Sequence, residues 1–352
     1  MNVRVFHTLS ISDDAQVGAA RRAVRRFASP LGFNEGALAE LDIVVQEIGT
    51  NAARYATSGG CLHWTTPLGR APGVELFYWD KGPGIFDVER AILDGVSSGG
   101  SLGGGLGALQ RLLDEFDVYS TVRGTTSRLV RRRRTTHGTA ILGRKWVAPH
   151  ARDVRSADDS FDDRIGAWSR PRAGEDVNGD AYYIRRYRSQ TLFAVIDGLG
   201  HGRGAHEAAS VALDSLAQWQ GEPLAEMLHA AHDALRATRG AVVGAIILDR
   251  ENEAFHYAGV GNIEARVFGS DEPARPIPNN GTLGVRLPPN LRVWPHRWTP
   301  GATIVLASDG LSATWDIGAY PGLLRKSPQL IAGVLLRDFG RDTDDATVMV
   351  VK

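Results

Sequence analysis

The chain has 352 residues, 43% hydrophobic and 23% charged, with 40 Lys and Arg against 40 Asp and Glu. That length suits two domains rather than one, and the balanced charge gives no bulk attraction to nucleic acid or to an anionic membrane. The single cysteine, Cys61, excludes an intrachain disulfide and fits a reducing, cytoplasmic setting; the first residues lack the apolar core of a signal peptide, and no apolar run is long enough to predict a membrane span.

The chain opens on an expected strand near Val3–Leu9. The spacing of Val17, Ala20, Val24 and Phe27 predicts a helix over 13–28. A second helix is expected over 35–56, with Leu38, Leu41, Val44, Val45, Ile48 and Ala52 as its apolar stripe and Asn34 as its N-cap. Strands at 60–66 and 73–79, a helix at 105–115 and strands at 117–122 and 138–147 complete a first domain, 1–147. The basic run Arg131–Arg134 lacks interleaved aromatics and reads as a solvated loop, not a nucleic-acid patch. The polar stretch 148–163 has no apolar period and is expected to be a linker. The second domain, 164–352, reads as strands at 164–170, 180–187, 191–197, 241–249, 253–260, 263–268, 303–308 and 345–351, with helices at 204–219, 223–237 and 328–338. The whole is an α+β protein of two domains.

Three motifs in the first domain point to a nucleotide. Glu47, Asn51 and Tyr55 are spaced i, i+4, i+8 and share one helical face. Asp80 ends the strand VELFYW and is followed by Lys-Gly82-Pro-Gly84, a carboxylate able to accept from an adenine amine beside glycines that allow close approach. The glycine-rich run Gly99 to Gly107 leads into a helix, where free N–H groups favour phosphate. This order of motifs resembles the GHKL ATPases, and within them the anti-sigma and switch serine kinases of the RsbT/SpoIIAB type. The resemblance implies a Bergerat-type α/β sandwich holding Mg-ATP, with Asn51 on the magnesium. It implies ATP contacts at Asn51, Asp80, Gly82, Gly84, Gly103, Gly105, Leu106 and Gly107. It further implies that Glu47 is the base for a substrate hydroxyl. The family closes with a Gly-Thr near its last strand. Two candidates exist, Gly124-Thr125 and Gly138-Thr139, and the second better suits a closing strand.

In the second domain acidic residues recur at the ends of apolar strands. They are Asp180 after Gly179, Asp197 ending TLFAVI before Gly198, Asp309 after TIVLAS, and Asp344-Asp345 before ATVMVV. A carboxylate beside a buried strand is costly unless paired or bound to a cation, and converging carboxylates suit Mg²⁺ or Mn²⁺. The order resembles the PPM (type 2C) phosphatases of the SpoIIE/RsbX branch. That resemblance implies an α-β-β-α sandwich and a centre of two Mn or Mg ions on Asp180, Asp197, the Gly198 carbonyl, Asp309 and one of Asp344 and Asp345, Asp344 being favoured by motif position. Catalytic roles fall on Asp180, Asp197 and Asp309, with water attacking a phosphoserine phosphorus in line. The phosphate-binding arginine of larger relatives has no clear counterpart; Arg164, Arg170 and Arg172 are nearest in sequence.

The two resemblances together imply a bifunctional bacterial regulator. One half would phosphorylate, and the other dephosphorylate, a STAS-type anti-sigma antagonist or stressosome scaffold partner. The alternative is a phosphatase whose first domain binds ATP and docks a partner without phosphate transfer. No nucleic acid or membrane partner is expected.

Overall fold

A computed structural model describes residues 4, 6–56, 59–68, 71–93, 105–122, 137–148, 163–270, 273–299 and 301–352. Chain packing divides it into two compact units. One holds Arg4–Arg164 and Asp316–Val334, the other Ile165–Trp315 and Leu335–Lys352. Residues 316–334, drawn by sequence into the second domain, thus belong with the first unit; their own pattern, short 3-10 turns at Ile317–Ala319 and Leu323–Arg325, carries no cue to that. No helix among the described residues is long and apolar enough to cross a membrane.

In the first unit the order is β1 (His7–Ile11), α1 (Asp14–Ala28), α2 (Glu35–Tyr55), β2 (Gly60–Thr65), β3 (Gly73–Asp80), α3 (Val88–Ile92), α4 (Gly105–Leu112), β4 (Glu115–Thr121) and β5 (Gly138–Trp146). The strands form one antiparallel sheet, ordered β1-β2-β3-β5-β4. The stripe read from α2 is buried from Leu38 to Ala52, and Asn34 caps the helix by accepting the Ala37 N–H at 2.8 Å. That stripe meets Val17 and Val24 of α1 and Leu62, Leu76 and Tyr78 of the sheet in one core. Helix α4 stops at Leu112, short of the expected 115, because the sheet captures the next residues. The Asp114 N–H donates to the Arg144 carbonyl at 3.0 Å, and the Trp146 N–H donates to Asp114 Oδ2 at 2.7 Å. The short α3 has no apolar period and is not visible in the sequence.

The same sheet buries a charge cluster. Glu75, 1% exposed, pairs with Arg4 and with Arg144 Nε at 2.6 Å, while Arg144 Nη1 reaches Glu115 at 2.9 Å. Burial alone would raise the Glu75 carboxyl, but the two guanidiniums outweigh it and hold it below the usual carboxylate range. A depressed carboxyl contributes stability that is complete above its unfolded pKa and is lost as pH falls through the folded one. Removing one member strands the others without water. Glu75→Ala is therefore expected to destabilise the unit by about 3–5 kcal/mol, read as an earlier transition in urea titration of the full chain, and Glu75→Ala with Arg144→Met by less.

The second unit runs β6 (Ile165–Arg170), β7 (Asp180–Tyr187), β8 (Gln190–Gly198), α5 (Arg203–Leu216), α6 (Leu224–Ala234), β9 (Ala241–Asp249), β10 (Ala254–Val260), β11 (Glu264–Phe268), β12 (Trp294–Arg297), β13 (Thr303–Ala307) and β14 (Ala346–Val351); α7 (Pro328–Phe339), before the last strand, is divided between the units after Val334. Two antiparallel sheets result, ordered β12-β10-β9-β8-β7 and β11-β13-β14-β6. Both faces of β9 are buried, which explains its unbroken apolar run AVVGAIIL. Ala208, Ala212 and Leu216 of α5 and Leu228 and Ala231 of α6 pack on Leu192, Ala194 and Ile196 of β8. Strand β12 went unread because Trp-Pro-His-Arg is too short and too polar to alternate.

Candidate functional site

The first unit gathers its motif residues at one end of β3 and α2. Asp80 closes β3, and its carboxylate is held by three donors. Oδ1 accepts the N–H groups of Gly82 at 2.7 Å and Thr139 at 3.2 Å, and Oδ2 accepts the Tyr78 hydroxyl at 3.0 Å. Burial, with Asp80 beside it, pushes the Tyr78 phenol up, so it stays a donor. Of the two Gly-Thr candidates, Gly138-Thr139 meets this carboxylate; Gly124-Thr125 lies outside the described residues. Gly138 there has φ +134°, and a Cβ on it would strike the Asp80 carbonyl. Gly82 is buried, its carbonyl 2.6 Å from Nδ1 of His137, a ring that sequence reasoning did not single out. Gly84 takes φ +79° against the Thr121 carbonyl.

Glu47 and Asn51 lie one turn apart on α2 and face the start of α4. A Cβ built on Gly105 would sit 3.3 Å from Asn51 Nδ2 and 3.6 Å from Glu47 Oε2. The first N–H groups of an α-helix have no intrahelical partner, and Glu47 and Asn51 lie beside the residue that begins α4. Leu106 and Gly107 are buried in that first turn, and the Leu106 side chain belongs to the apolar core. Its side chain therefore seats the helix, leaving only its N–H for a phosphate. Gly103 falls outside the described residues. Tyr55, on the same helical face, is 47% exposed.

In the second unit the antiparallel register sets the acids together. Asp180 and Asp197 are direct partners across β7 and β8. Two carboxylates facing each other there repel. Burial, and then the charge of Asp180 and the other acids, pushes Asp197 up to about 9. Burial raises Asp180 to about 8, against the pull of its hydrogen bonds to Ser308 and Thr347. The Ser308 hydroxyl donates to Asp180 Oδ2 at 2.6 Å, and the Thr347 N–H donates to Ser308 Oγ at 2.9 Å, so the second sheet is tied to the first at this end. Asp309 follows directly. Its Oδ2 accepts the Asn262 amide at 2.8 Å, and burial and Asp344 raise its pKa. The Gly198 N–H donates to the Gly179 carbonyl at 3.0 Å, and a Cβ on Gly198 would strike the Ala205 carbonyl.

The last pair divides its work. Asp345 is 3% exposed, its Oδ1 accepts the Arg172 N–H at 2.8 Å, and its Oδ2 is buried against Gly179 with no aligned donor. Asp344 Oδ1 accepts the Asp345 N–H at 3.0 Å, and its charge is felt at Asp309. Arg170 is engaged by Asp342 at 3.2 Å, so of the arginines weighed from sequence this one is already paired.

Known proteins resemble both parts of the chain. A family model described as a histidine kinase-like ATPase domain matches residues 11–131, and one described as stage II sporulation protein E (SpoIIE) matches 188–352. The serine/threonine-protein kinase RsbT of Bacillus subtilis (strain 168) is 32% identical over 138 residues, 39% of this chain and 93% of RsbT. The chain belongs to the RsbT-like histidine kinase-like ATPases, fused to a SpoIIE-type PPM phosphatase domain. The phosphoserine phosphatase RsbX of the same organism is 25% identical over 140 residues, 40% of this chain and 70% of RsbX. A solved chain described as "The bacterial stressosome: a modular system that has been adapted to control secondary messenger signaling" superposes with a TM-score of 0.51 at 29% identity, covering 54% of this chain and 98% of that one.

The acids of the phosphatase domain fit a divalent centre by their chemistry. They are hard oxygen donors, several of them driven toward the neutral form by burial and mutual charge, and one buried oxygen of Asp345 has no aligned donor. Among the described residues no three acidic, histidine or cysteine side chains stand close enough to form a finished metal-binding group. Asn262 and Ser308, which orient Asp309 and Asp180, were missed from sequence. Asn262 sits in Gly-Asn after the strand AFHYAGV, a turn signal that by itself says nothing of a site.

Proposed function

We propose that the chain is a two-way phosphorylation switch of the partner-switching type. The ATPase domain phosphorylates a serine or threonine on a partner of the STAS-type antagonist or stressosome-scaffold class, and the phosphatase domain removes the phosphate. The observation that carries this reading is that each unit brings its own reactive set to one end of its sheet. Glu47 and Asn51 face the start of α4 with Asp80 nearby in the fold, and Asp180 opposes Asp197 beside Ser308-Asp309. The relatives named for a kinase and for a phosphoserine phosphatase support it.

In the kinase direction, Asp80 accepts a hydrogen bond from the adenine amine of the substrate ATP. Asn51 holds the magnesium that accompanies the phosphates, and the free N–H groups at the start of α4 take their oxygens. The Glu47 carboxylate accepts the proton leaving the partner's hydroxyl as its oxygen bonds to the γ-phosphorus and the bond to ADP breaks. In the reverse direction, Asp180, Asp197, the Gly198 carbonyl, Asp309 and Asp344 would hold two Mn or Mg ions. Asp345, with one oxygen on the Arg172 N–H, positions that last strand. Bound there, the ions supply Lewis acidity and an activated water. Ser308 keeps its hydroxyl proton on Asp180, orienting that carboxylate.

One experiment tests both directions. The full chain is incubated with ATP, Mg²⁺ and a STAS-domain protein, after which ATP is removed and Mn²⁺ added. Phosphate is expected to appear on the partner and then leave it. Glu47→Ala is expected to block the first step and Asp309→Ala the second. A partner that gains phosphate equally with Glu47→Ala rejects the base assignment.

A further inference from the structure

A cleft of about 700 Å³ opens beside Asp309 in the phosphatase unit, and its composition is not that of a metal site. Its floor is apolar, made by Ile263, Leu311 and the exposed Ile277. Its rim carries two guanidiniums, Arg275 and Arg341. A phosphoryl group and two ions need only a fraction of this volume, so the remainder is room for whatever carries the phosphate.

The charges on the rim are not equivalent. Glu264 is already saturated. Its Oε1 takes Arg266 Nη2 at 2.8 Å and also Arg275, and its Oε2 accepts the Trp315 indole N–H at 2.8 Å. Arg266 and Arg275 together neutralise Glu264, so that carboxylate does not oppose an anion in the cleft. Arg341 is different again. Its backbone N–H donates to the Gly310 carbonyl at 2.8 Å, which pins it to the turn that carries Asp309. Among the described residues its side chain makes no hydrogen bond and no salt bridge, yet its charge reaches Asp309 and lowers that carboxyl against the larger effect of burial. An exposed guanidinium, fixed at its backbone and free at its fork, suits a bidentate anion.

We propose that Arg341 binds the phosphoryl oxygens of the substrate and that the Ile263–Ile277–Leu311 floor takes an apolar side chain next to the phosphoserine. The occupant is a phosphorylated segment of a protein with an apolar neighbour, not a small phosphate ester. The wall behind Ile277 is built to hold a position, because the Ile277 carbonyl accepts the Trp294 indole N–H at 3.0 Å. The inference rests on the phosphatase reading of the aspartate site and names its substrate.

The test uses the full chain with saturating Mn²⁺ and two substrates, a phosphoserine peptide with a leucine beside the phosphoserine and p-nitrophenyl phosphate. Arg341→Ala is expected to raise KM for both about tenfold or more, with kcat changed far less and with partial recovery in Arg341→Lys. The inhibition constant of inorganic phosphate is expected to rise in parallel. Ile277→Glu is expected to lower kcat/KM for the peptide about tenfold more than for the small ester. Thermal melting shows whether each variant is folded. If Arg341→Ala keeps its KM and alters only the Mn²⁺ concentration needed for activity, Arg341 tunes the Asp309 ligand and the inference is wrong. A wild-type chain that releases phosphate from neither substrate overturns the phosphatase reading and this inference with it.

Discussion

Asp197→Ala is expected to reduce metal-dependent phosphate release by about a thousandfold or more, and at the same time to make the metal-free protein more stable. The first effect follows from losing a charged oxygen donor. Metal ions contribute several kcal/mol to such reactions, and each ~1.4 kcal/mol is tenfold in rate. The second follows from the register, which sets Asp197 directly across from Asp180 with Asp309 close by. The fold holds these charges together at a cost that a cation offsets and alanine removes.

The sign of the pH dependence makes this measurable. Asp180 and Asp197 are raised in the folded chain to about 8 and about 9, whereas an unfolded aspartate titrates near ~3.9. Between those limits the folded state holds protons that the unfolded state has released, so stability falls as pH rises. The pair titrates together, and the prediction concerns its combined slope. In chelator, the wild type should lose stability steadily from mildly acidic to mildly alkaline pH, while Asp197→Ala shows a shallower slope. Mn²⁺ should reverse the trend in the wild type, releasing protons as it binds. A wild type whose metal-free stability rises over this range would show that the carboxylates are not held against one another.

The sequence carried most of the strands and the positions of the acids, and the reasons are local. Apolar runs such as TLFAVI and TIVLAS end on an aspartate followed by glycine, so strand, turn and charge are read from contiguous residues. What escaped was set by pairing between distant segments. Ser308 matters because Thr347 and Asp180 converge on its hydroxyl, and Asn262 because it reaches Asp309 from the turn between β10 and β11. Arg341 is one polar residue in a polar stretch, and only its backbone bond to Gly310 marks it. Leu106 shows the opposite limit: its motif position suggested a ligand contact, while its burial assigns the side chain to the core. His137 likewise has no sequence signal, because its partner is the backbone of Gly82, far away in the chain.

The kinase direction turns on a pair of substitutions that separate binding from transfer. Asp80→Asn is expected to weaken ATP binding by about 10–100-fold, the worth of one charge-assisted hydrogen bond. The fold should survive it. An asparagine oxygen can keep the Gly82 and Thr139 N–H groups, and the Tyr78 hydroxyl can turn to accept from the new amide. What is lost is the anionic acceptor for the adenine amine. Glu47→Ala removes no contact to the base, so its ATP affinity should stay within a few-fold of wild type. Transfer to a STAS-domain partner should nonetheless fall about 10²–10⁴-fold, the usual contribution of a positioned general base. Calorimetry with ATP and label transfer from γ-labelled ATP give the two readouts on the same preparations. Affinity lost only in Asp80→Asn, and transfer lost in both, establishes a kinase with Glu47 at its centre. ATP bound tightly by the wild type but never transferred would instead make the first domain a nucleotide-dependent docking module. Phosphate arriving at the partner would then have to come from another enzyme, and this chain would act on it in one direction only.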